Sequence, residues 1–222
     1  MENNQIKRND AVVKILGFIF ITCFILPTFN WVFLMSGFTE SGNFIKTAEN
    51  IFANEALFRF GLCIKLLMSV GLLALASILY SILKNTNTVL ARIAFSLKIT
   101  EAALCSAIVL ISFITLYTQN NYVGAITNNQ KALFAVPMIF LGIDMTIFNY
   151  LFLKSRLVPK CISLLGILSF ILIFIHSVMF LAAPEAASLA VIQAVFYTPS
   201  GLFEMIIGSW LMTKGLKHDV LL

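Results

Sequence analysis

Residues 89–117 constrain the fold of this chain more than any other part of the sequence. They are almost continuously apolar, yet Lys98 and Glu101 lie near the middle of the stretch. A helix of ~20 apolar residues, rising ~1.5 Å per residue, is long enough to cross a bilayer. A central Lys or acidic residue costs about 2.5 to 3.5 kcal/mol there, which offsets most of the gain from the surrounding Leu, Ile, Phe and Val. We therefore predict a membrane-spanning helix whose neighbours must accept its polar face.

The composition of the whole chain places that helix in a membrane domain. Hydrophobic residues make up 60% of the chain and charged residues only 11%, whereas a soluble domain has about 25% charged residues. A water-facing fold is therefore excluded. The net charge of +5 does not indicate nucleic acid, because the basic residues lie beside the ends of apolar segments, as in the positive-inside pattern. The predicted partner is the lipid bilayer.

The apolar segments predict an all-α bundle of six transmembrane helices joined by short loops. The predicted spans are 11–36, 56–83, 89–118, 132–153, 161–183 and 189–213, between terminal tails at 1–10 and 214–222. Between the first two spans, apolar residues from Phe44 to Phe52 recur at helical spacing, which predicts a short amphipathic helix at the interface. Pro27 and Asn30 are expected to bend the outer third of the first span. Residues 119–131 are predicted to be an Asn-rich loop.

The distribution of basic residues predicts the orientation of the bundle. One side carries Lys7, Arg8, Lys84, Lys154, Arg156, Lys160, Lys214 and Lys217. The opposite side carries Lys46 and Lys131. This asymmetry predicts that both termini are cytoplasmic. The first apolar run is longer than the core of a signal peptide, so we expect it to remain as an uncleaved helix.

Short motifs from the first outer loop onward resemble those of one family of bacterial membrane proteins, called domain of unknown function 4386. The pieces are EALFR at 55–59 with Gly61, LY at 79–80, LA at 90–91, EA at 101–102, YLFLKS at 150–155 with Pro159, LG at 165–166, Glu204, WL at 210–211 and KG at 214–215. The resemblance implies a six-helix membrane fold and no assigned activity. Two positions differ from the family's pattern. Asp144 follows Gly142-Ile143 where Gly-Leu-His is frequent, and Arg156 stands where a glycine is common.

Five ionisable residues inside the predicted spans form a candidate polar core or transport cluster: Lys65, Lys98, Glu101, Asp144 and Glu204. At ~1.5 Å per residue, Lys98 and Glu101 lie roughly 13 and 18 Å from the cytoplasmic start of their span. Asp144 and Glu204 lie roughly 18 and 22 Å from the outer starts of theirs, and Lys65 lies higher, at roughly 13 Å. Because an isolated charge in hydrocarbon is costly, we predict that these side chains face each other or a wet cavity.

The pairing within the cluster has several solutions at the level of sequence. Lys98 can pair across helices with Asp144 or with Glu204, and Glu101 is then either held by Lys65 or remains protonated. Three acids against two bases leave at least one acid without a cation, and a proton-coupled site needs such a group. The simpler interpretation is a structural polar clamp that fixes the helix register. The alternative is an ion, proton or solute site.

Pro199, Ser200 and Gly201 form a candidate break in the sixth span, because proline removes a backbone hydrogen bond and glycine weakens a helix. Broken helices often mark transport sites, although a simple proline kink is the more common outcome. His176 in the fifth span is expected to be a hydrogen-bonded packing residue. No zinc signature is present, so no metal or cofactor is predicted.

Three functional hypotheses remain from the sequence. The first is a non-enzymatic protein that supports or regulates a membrane-protein partner or a second copy of itself, because the loops are short and catalytic motifs are lacking. The second is a small proton- or ion-coupled transporter that uses the charged cluster. The third is an intramembrane enzyme that acts on lipid.

Overall fold

The computed structural model describes residues 2–118 and 122–216, with side chains from Asp10 onward. This part of the chain is helical and contains no strand. The helices are α1 (Glu2–Phe29), α2 (Phe44–Ala53), α3 (Glu55–Leu83), α4 (Thr88–Thr115), α5 (Tyr122–Asn128), α6 (Gln130–Ser155), α7 (Lys160–Ala182), α8 (Pro184–Ala187) and α9 (Ala190–Thr213). Six of them, counting α1 with the turns that follow it, are long and apolar enough to span a membrane. The predicted all-α bundle of six transmembrane helices is confirmed.

The six long helices form a closed ring. Each packs against its neighbour in the order α1, α3, α4, α6, α7 and α9, and α9 returns to α1. At one end of the ring the interior is filled by buried apolar side chains such as Leu83, Phe152 and Leu211, each at most 1% exposed. This packed end is the predicted cytoplasmic end. The opposite end is less tightly filled and holds the site described below.

Two glycines allow α1 and α9 to approach closely. A Cβ added to Gly17 would lie 2.6 Å from the Gly208 carbonyl oxygen, and one added to Gly208 would lie 2.8 Å from the Gly17 carbonyl oxygen. Small residues at a helix crossing let the backbones come together, which is a common way of packing transmembrane helices. The ring is therefore closed by a backbone-to-backbone contact between the first and last spans.

A second layer of short helices lies at the end of the bundle where the polypeptide between spans is longest. The predicted amphipathic helix is present as α2, and it packs on α5, which lies in residues that we predicted to be a loop. That prediction is wrong for 122–128; residues 119–121 lie outside the described part. The helix forms because Gly124 lets α5 contact the backbone of Phe44, and Asn128 Nδ2 donates a hydrogen bond to Thr47 Oγ1 at 3.1 Å.

The first span is irregular where Pro27 and Asn30 predicted a bend. The α-helix ends at Phe29, a π-helical turn covers Asn30–Met35, and a 3-10 turn covers Ser36–Phe38. Proline removes one N–H from the ladder, so the register of hydrogen bonds can change after it. The backbone of α1 also begins at Glu2, so the helix extends through residues that we predicted to be a polar tail. It contains no Pro or Gly that would stop the helix.

The candidate break at Pro199, Ser200 and Gly201 is not present, because α9 is a continuous α-helix from Ala190 to Thr213. Ser200 Oγ donates to the Tyr197 carbonyl at 2.8 Å and strengthens the turn at the proline. Gly201 serves packing instead, since a Cβ there would lie 2.5 Å from the Phe24 ring. The kink remains a prediction.

One of the two positions that differ from the family's pattern has an unusual backbone conformation. Arg156 caps the C-terminus of α6 with φ of 56°, in the left-handed region. Glycine adopts this conformation without a steric cost and is the usual residue at such a cap. The conformation of Arg156 thus explains why a glycine suits this place.

Candidate functional site

A central cavity of about 510 Å³ lies inside the ring of six helices. It extends from Lys131 and Gln193, near the helix ends, inward to Glu101 and Glu204. All six spans contribute to its wall. Most of its lining side chains are apolar, including Leu72, Phe134, Met138, Leu141 and Phe180. A concave, mainly apolar cavity of a few hundred Å³ with a few polar groups is typical of a small-molecule site.

The lining residues follow the helical period of each span, so one face of each helix is committed to the cavity. On α9 these are Gln193, Tyr197 and Glu204, and on α6 they include Gln130 and Phe134. Spacings of four, seven and eleven residues return a side chain to the same face of an α-helix. The polar positions on α9 therefore point to the same side as Glu204.

Lys98 lies at the centre of a buried group of charges. Its Nζ is 2.7 Å from Asp144 Oδ1 on α6 and 2.7 Å from Glu101 Oε2 one turn along α4. The side chains of Lys98 and Asp144 are both 0% exposed. The contact with Asp144 is an ion pair by distance rather than a directed hydrogen bond. The structure thus selects Asp144, rather than Glu204, from the two cross-helix partners that the sequence left open.

Glu101 is held by Lys98 and not by Lys65. Lys65 Nζ instead donates a hydrogen bond to Gln130 Oε1 at 2.8 Å and lies 5.8 Å from the centre of the Phe134 ring. Lys65 is therefore part of the cavity wall, apart from the buried charges. We call Lys98, Glu101 and Asp144 the charge triad. Glu101 also lines the cavity, whereas Lys98 and Asp144 do not.

Glu204 is the one acid of the candidate cluster that is not part of the charge triad. It lines the deep part of the cavity, and within the described residues it makes no hydrogen bond or ion pair. Lys98 and Glu101 act on it only through electrostatic interaction over a longer distance. An unpaired carboxyl group inside a membrane bundle is costly unless it is protonated, solvated or matched by a ligand. Glu204 is thus the candidate working group of the cavity.

Three residues of the cavity wall each carry a buried polar atom that lacks a hydrogen-bond partner in the described part of the chain. The atoms are Asn30 Oδ1, Gln130 Nε2 and His176 Nδ1. The residues that carry them are between 2% and 5% exposed. Buried polar atoms are usually hydrogen-bonded, to protein or to an ordered molecule. Each of the three atoms has almost no accessible surface, so it lies within the packed wall rather than at the cavity surface.

Three buried aromatic rings pack together in the bundle next to Glu204 in the sequence. Phe203 on α9 meets Phe20 on α1 edge to face, with ring centres 6.1 Å apart, and meets Phe170 on α7 at 5.5 Å. All three rings are at most 1% exposed. They join α1, α7 and α9 and do not line the cavity.

The charged residues could be identified from the sequence, but most of the cavity wall could not. Asn30, Gln130 and Gln193 were not singled out, although the spacing of Gln193, Tyr197 and Glu204 is a usable signal. His176 makes the expected packing contact, since its Nε2 lies 3.0 Å from the Ala187 carbonyl oxygen. Among residues 2–118 and 122–216, no three His, Cys, Asp or Glu side chains lie close enough together to hold a metal ion.

Comparison with known proteins gives one match. A family model described as Domain of unknown function (DUF4386) matches residues 15–215, which covers most of the chain. No curated protein and no solved structure matches the chain. The predicted family is confirmed. Because its description names no activity, the evidence on function comes from the geometry of the cavity.

Proposed function

Since the chain belongs to the family described as Domain of unknown function (DUF4386), whose description assigns no activity, we propose a function from the cavity itself. We infer that the protein binds a small solute in the central cavity and carries it across the membrane. The triad holds α4 and α6 together, and Glu204 interacts with the solute or with a coupling proton.

The observation that carries this proposal is the unpaired Glu204 in the wall of the cavity. A purely structural cluster would pair its charges and exclude water, as Lys98 and Asp144 do. Glu204 instead lines about 510 Å³ of space that extends to Lys131 and Gln193 near the helix ends. Intramembrane carboxyl groups in such positions are typical of substrate and proton pathways.

The proposal is tested by flux into proteoliposomes that contain a pH-sensitive dye. We expect the wild-type protein to move at least one member of a broad solute panel, and Glu204→Gln to lower that flux at least tenfold. Glu185→Gln is the matched control, because Glu185 is an exposed acid on α8 outside the cavity. Absence of flux across the whole panel from properly folded wild-type protein would contradict the carrier proposal.

A supporting or regulatory role is the second candidate, and the sealed triad favours it. Lys98 and Asp144 are 0% exposed and take no part in the cavity wall, so their contribution is to hold helices in register. Such a protein would work through a membrane-protein partner or a second copy of itself. Stable co-purification of a partner, together with unchanged behaviour of Glu204→Gln, would support this candidate over the carrier. No observation on the structure favours a lipid-acting enzyme.

We also propose the cytoplasmic membrane of a bacterium as the location, with both termini in the cytoplasm. The support is the excess of Lys and Arg on one side of the six spans. In this orientation the packed end of the ring faces the cytoplasm and the cavity faces outward.

A further inference from the structure

We propose that the solute bound by the cavity is an organic primary ammonium ion with an apolar, preferably aromatic, body. This inference rests on the proposed function and adds the chemical class of the ligand. The ammonium group would lie at the inner end beside Glu204, and the apolar body would extend towards the opening.

The inner end of the cavity is rich in hydrogen-bond acceptors. Glu101 and Glu204 both line this end and contribute carboxyl oxygens. A primary ammonium group is a cation with three N–H donors. It therefore matches two carboxyl groups better than an anion or a quaternary amine does.

The charge balance around Glu204 also favours a cationic ligand. Lys98 already pairs with the two carboxylates of the triad, so it is not available to pair with Glu204. The ionisable groups contributed by the helices around Glu204 are Cys23 on α1, Lys65 on α3, Lys98, Glu101 and Cys105 on α4, Lys131 and Asp144 on α6, His176 on α7 and Tyr197 on α9. None of them makes an ion pair with Glu204 in the described part of the chain.

The two lysines of the wall lie nearer to the opening than Glu204 does. At ~1.5 Å per residue, Lys65 is roughly 15 Å and Glu204 roughly 21 Å from the ends of their helices on the open side. Lys65 is also engaged by Gln130 and by the Phe134 ring. Its charge nevertheless opposes a cation in the cavity. Removal of that charge should therefore strengthen binding of an ammonium ligand, which is the opposite of the effect expected at Glu204.

The remaining wall accounts for the apolar body. Phe134, Met138, Leu141, Phe180 and Tyr197 line the cavity together with the charged residues. Aromatic side chains favour both flat apolar groups and nearby cations through their ring faces. The volume of about 510 Å³ falls within the range of about 300–1,000 Å³ seen for small-molecule sites. A bicyclic aromatic amine fits these requirements.

The test uses tryptamine as the probe, with binding measured by calorimetry on the full chain in detergent. Tryptamine is protonated at pH 7, as a lysine amine is. Its alcohol analogue tryptophol is neutral, and indole-3-propionate is an anion with the same ring. We expect wild-type protein to bind tryptamine at least tenfold more tightly than either analogue. We expect Glu204→Gln to weaken tryptamine binding roughly 10- to 100-fold, the usual effect of losing a charged hydrogen-bond partner.

Three further variants make the result specific. Lys65→Gln, which keeps a donor for Gln130, should strengthen tryptamine binding about 2- to 10-fold, and Glu185→Gln should leave it unchanged. Ala135→Phe, which places a ring in the cavity, should abolish binding of every probe. Thermal unfolding and size-exclusion profiles verify that each variant is folded.

The outcomes separate the ligand class from the function. If tryptophol or indole-3-propionate binds as tightly as tryptamine and Ala135→Phe abolishes it, the ammonium inference is overturned while a solute site remains. Tryptamine binding that is insensitive to Glu204→Gln and Lys65→Gln also overturns the inference. If no probe binds, the inference fails, and the flux panel decides separately whether the proposed function fails with it.

Discussion

Lys98 lies between carboxylates of two helices at 0% exposure, and its charge determines which substitutions the bundle tolerates. A buried ion pair adds little net stability compared with apolar residues, because both charges must be desolvated. Removal of one partner is different, since it leaves the other charges buried and unpaired. The triad is therefore a feature that constrains the sequence strongly while contributing modestly to the free energy of unfolding.

We predict that Lys98→Asp destabilises the protein by about 3–5 kcal/mol. The combined exchange of Lys98→Asp with Asp144→Lys should restore most of this loss, because the cross-helix pair is re-formed with its charges reversed. The measurement is the midpoint of thermal unfolding in detergent, followed by fluorescence-detected size exclusion, with an expected decrease of roughly 10 °C for the single variant.

The control for this exchange is Lys154→Asp, at an exposed position near the end of α6, which should change stability by no more than about 0.5 kcal/mol. A double variant that is no more stable than Lys98→Asp would show that the pair with Asp144 is not what holds Lys98. The exchange leaves Glu204 unaltered, so a folded double variant can also be tested for solute flux.

Residue depth could be predicted from the sequence, but pairing could not. Counting ~1.5 Å per residue placed Lys98, Glu101 and Asp144 at similar levels, and the structure brings these three together. The same counting does not give the rotation of each helix about its axis. That rotation turns Lys65 towards Gln130 rather than Glu101. It also leaves Glu204 in the cavity wall without an ion-pair partner in the described part of the chain.

At the scale of helices, the contact between α1 and α9 depends on the absence of side chains at two positions. We predict that Gly17→Leu or Gly208→Leu lowers stability by at least about 1–3 kcal/mol, because a side chain must separate two backbones that now touch. Gly71→Leu is the matched control, since nothing lies within 4 Å of its Cβ position. Thermal unfolding of the three variants side by side is the measurement. An equal effect at Gly71 would contradict the explanation.

The long helices were predictable and the short ones only in part. Apolar segments of more than 20 residues leave few alternatives in a membrane, since every backbone group must be satisfied within the helix. α5 has seven residues, among them one Gly and one Asn, and an isolated helix of that length is not stable. It exists because it packs on α2, a tertiary effect that local sequence does not contain. The break considered at Pro199 is absent from α9, and Gly201 instead packs closely against the Phe24 ring, a contact between helices that the local sequence does not contain.

At the scale of the whole molecule, the orientation in the membrane can be tested by cysteine labelling. We predict that a membrane-impermeant maleimide labels Ser41→Cys in intact cells, and labels Asn85→Cys only after the membrane is permeabilised. Both residues are exposed and lie at opposite ends of the bundle. The native Cys23, Cys63, Cys105 and Cys161 are first replaced by Ala. The reverse labelling pattern would show that the bundle has the opposite orientation, with the cavity facing the cytoplasm.

The cavity itself could not be predicted, because apolar residues face both lipid and the interior in a membrane protein. Met138 and Leu141 line the cavity, whereas Leu164 and Leu168 are 54% and 56% exposed on the outer surface of α7. The sequence gives no difference in chemistry between these two environments. Only the order of helices around the ring determines which face is which, and that order depends on tertiary contacts such as the one between Gly17 and Gly208.

The cross-helix pairing of Lys98 also has a consequence for biosynthesis. The carboxylate of Asp144 is synthesised 46 residues after Lys98, a delay of several seconds at a ribosomal speed of about 5–20 residues per second. During that interval α4 holds an ammonium group that lacks its later-made counter-ion. We therefore expect α4 to stay beside the insertion machinery until α6 emerges. The two helices then enter the lipid together rather than one by one.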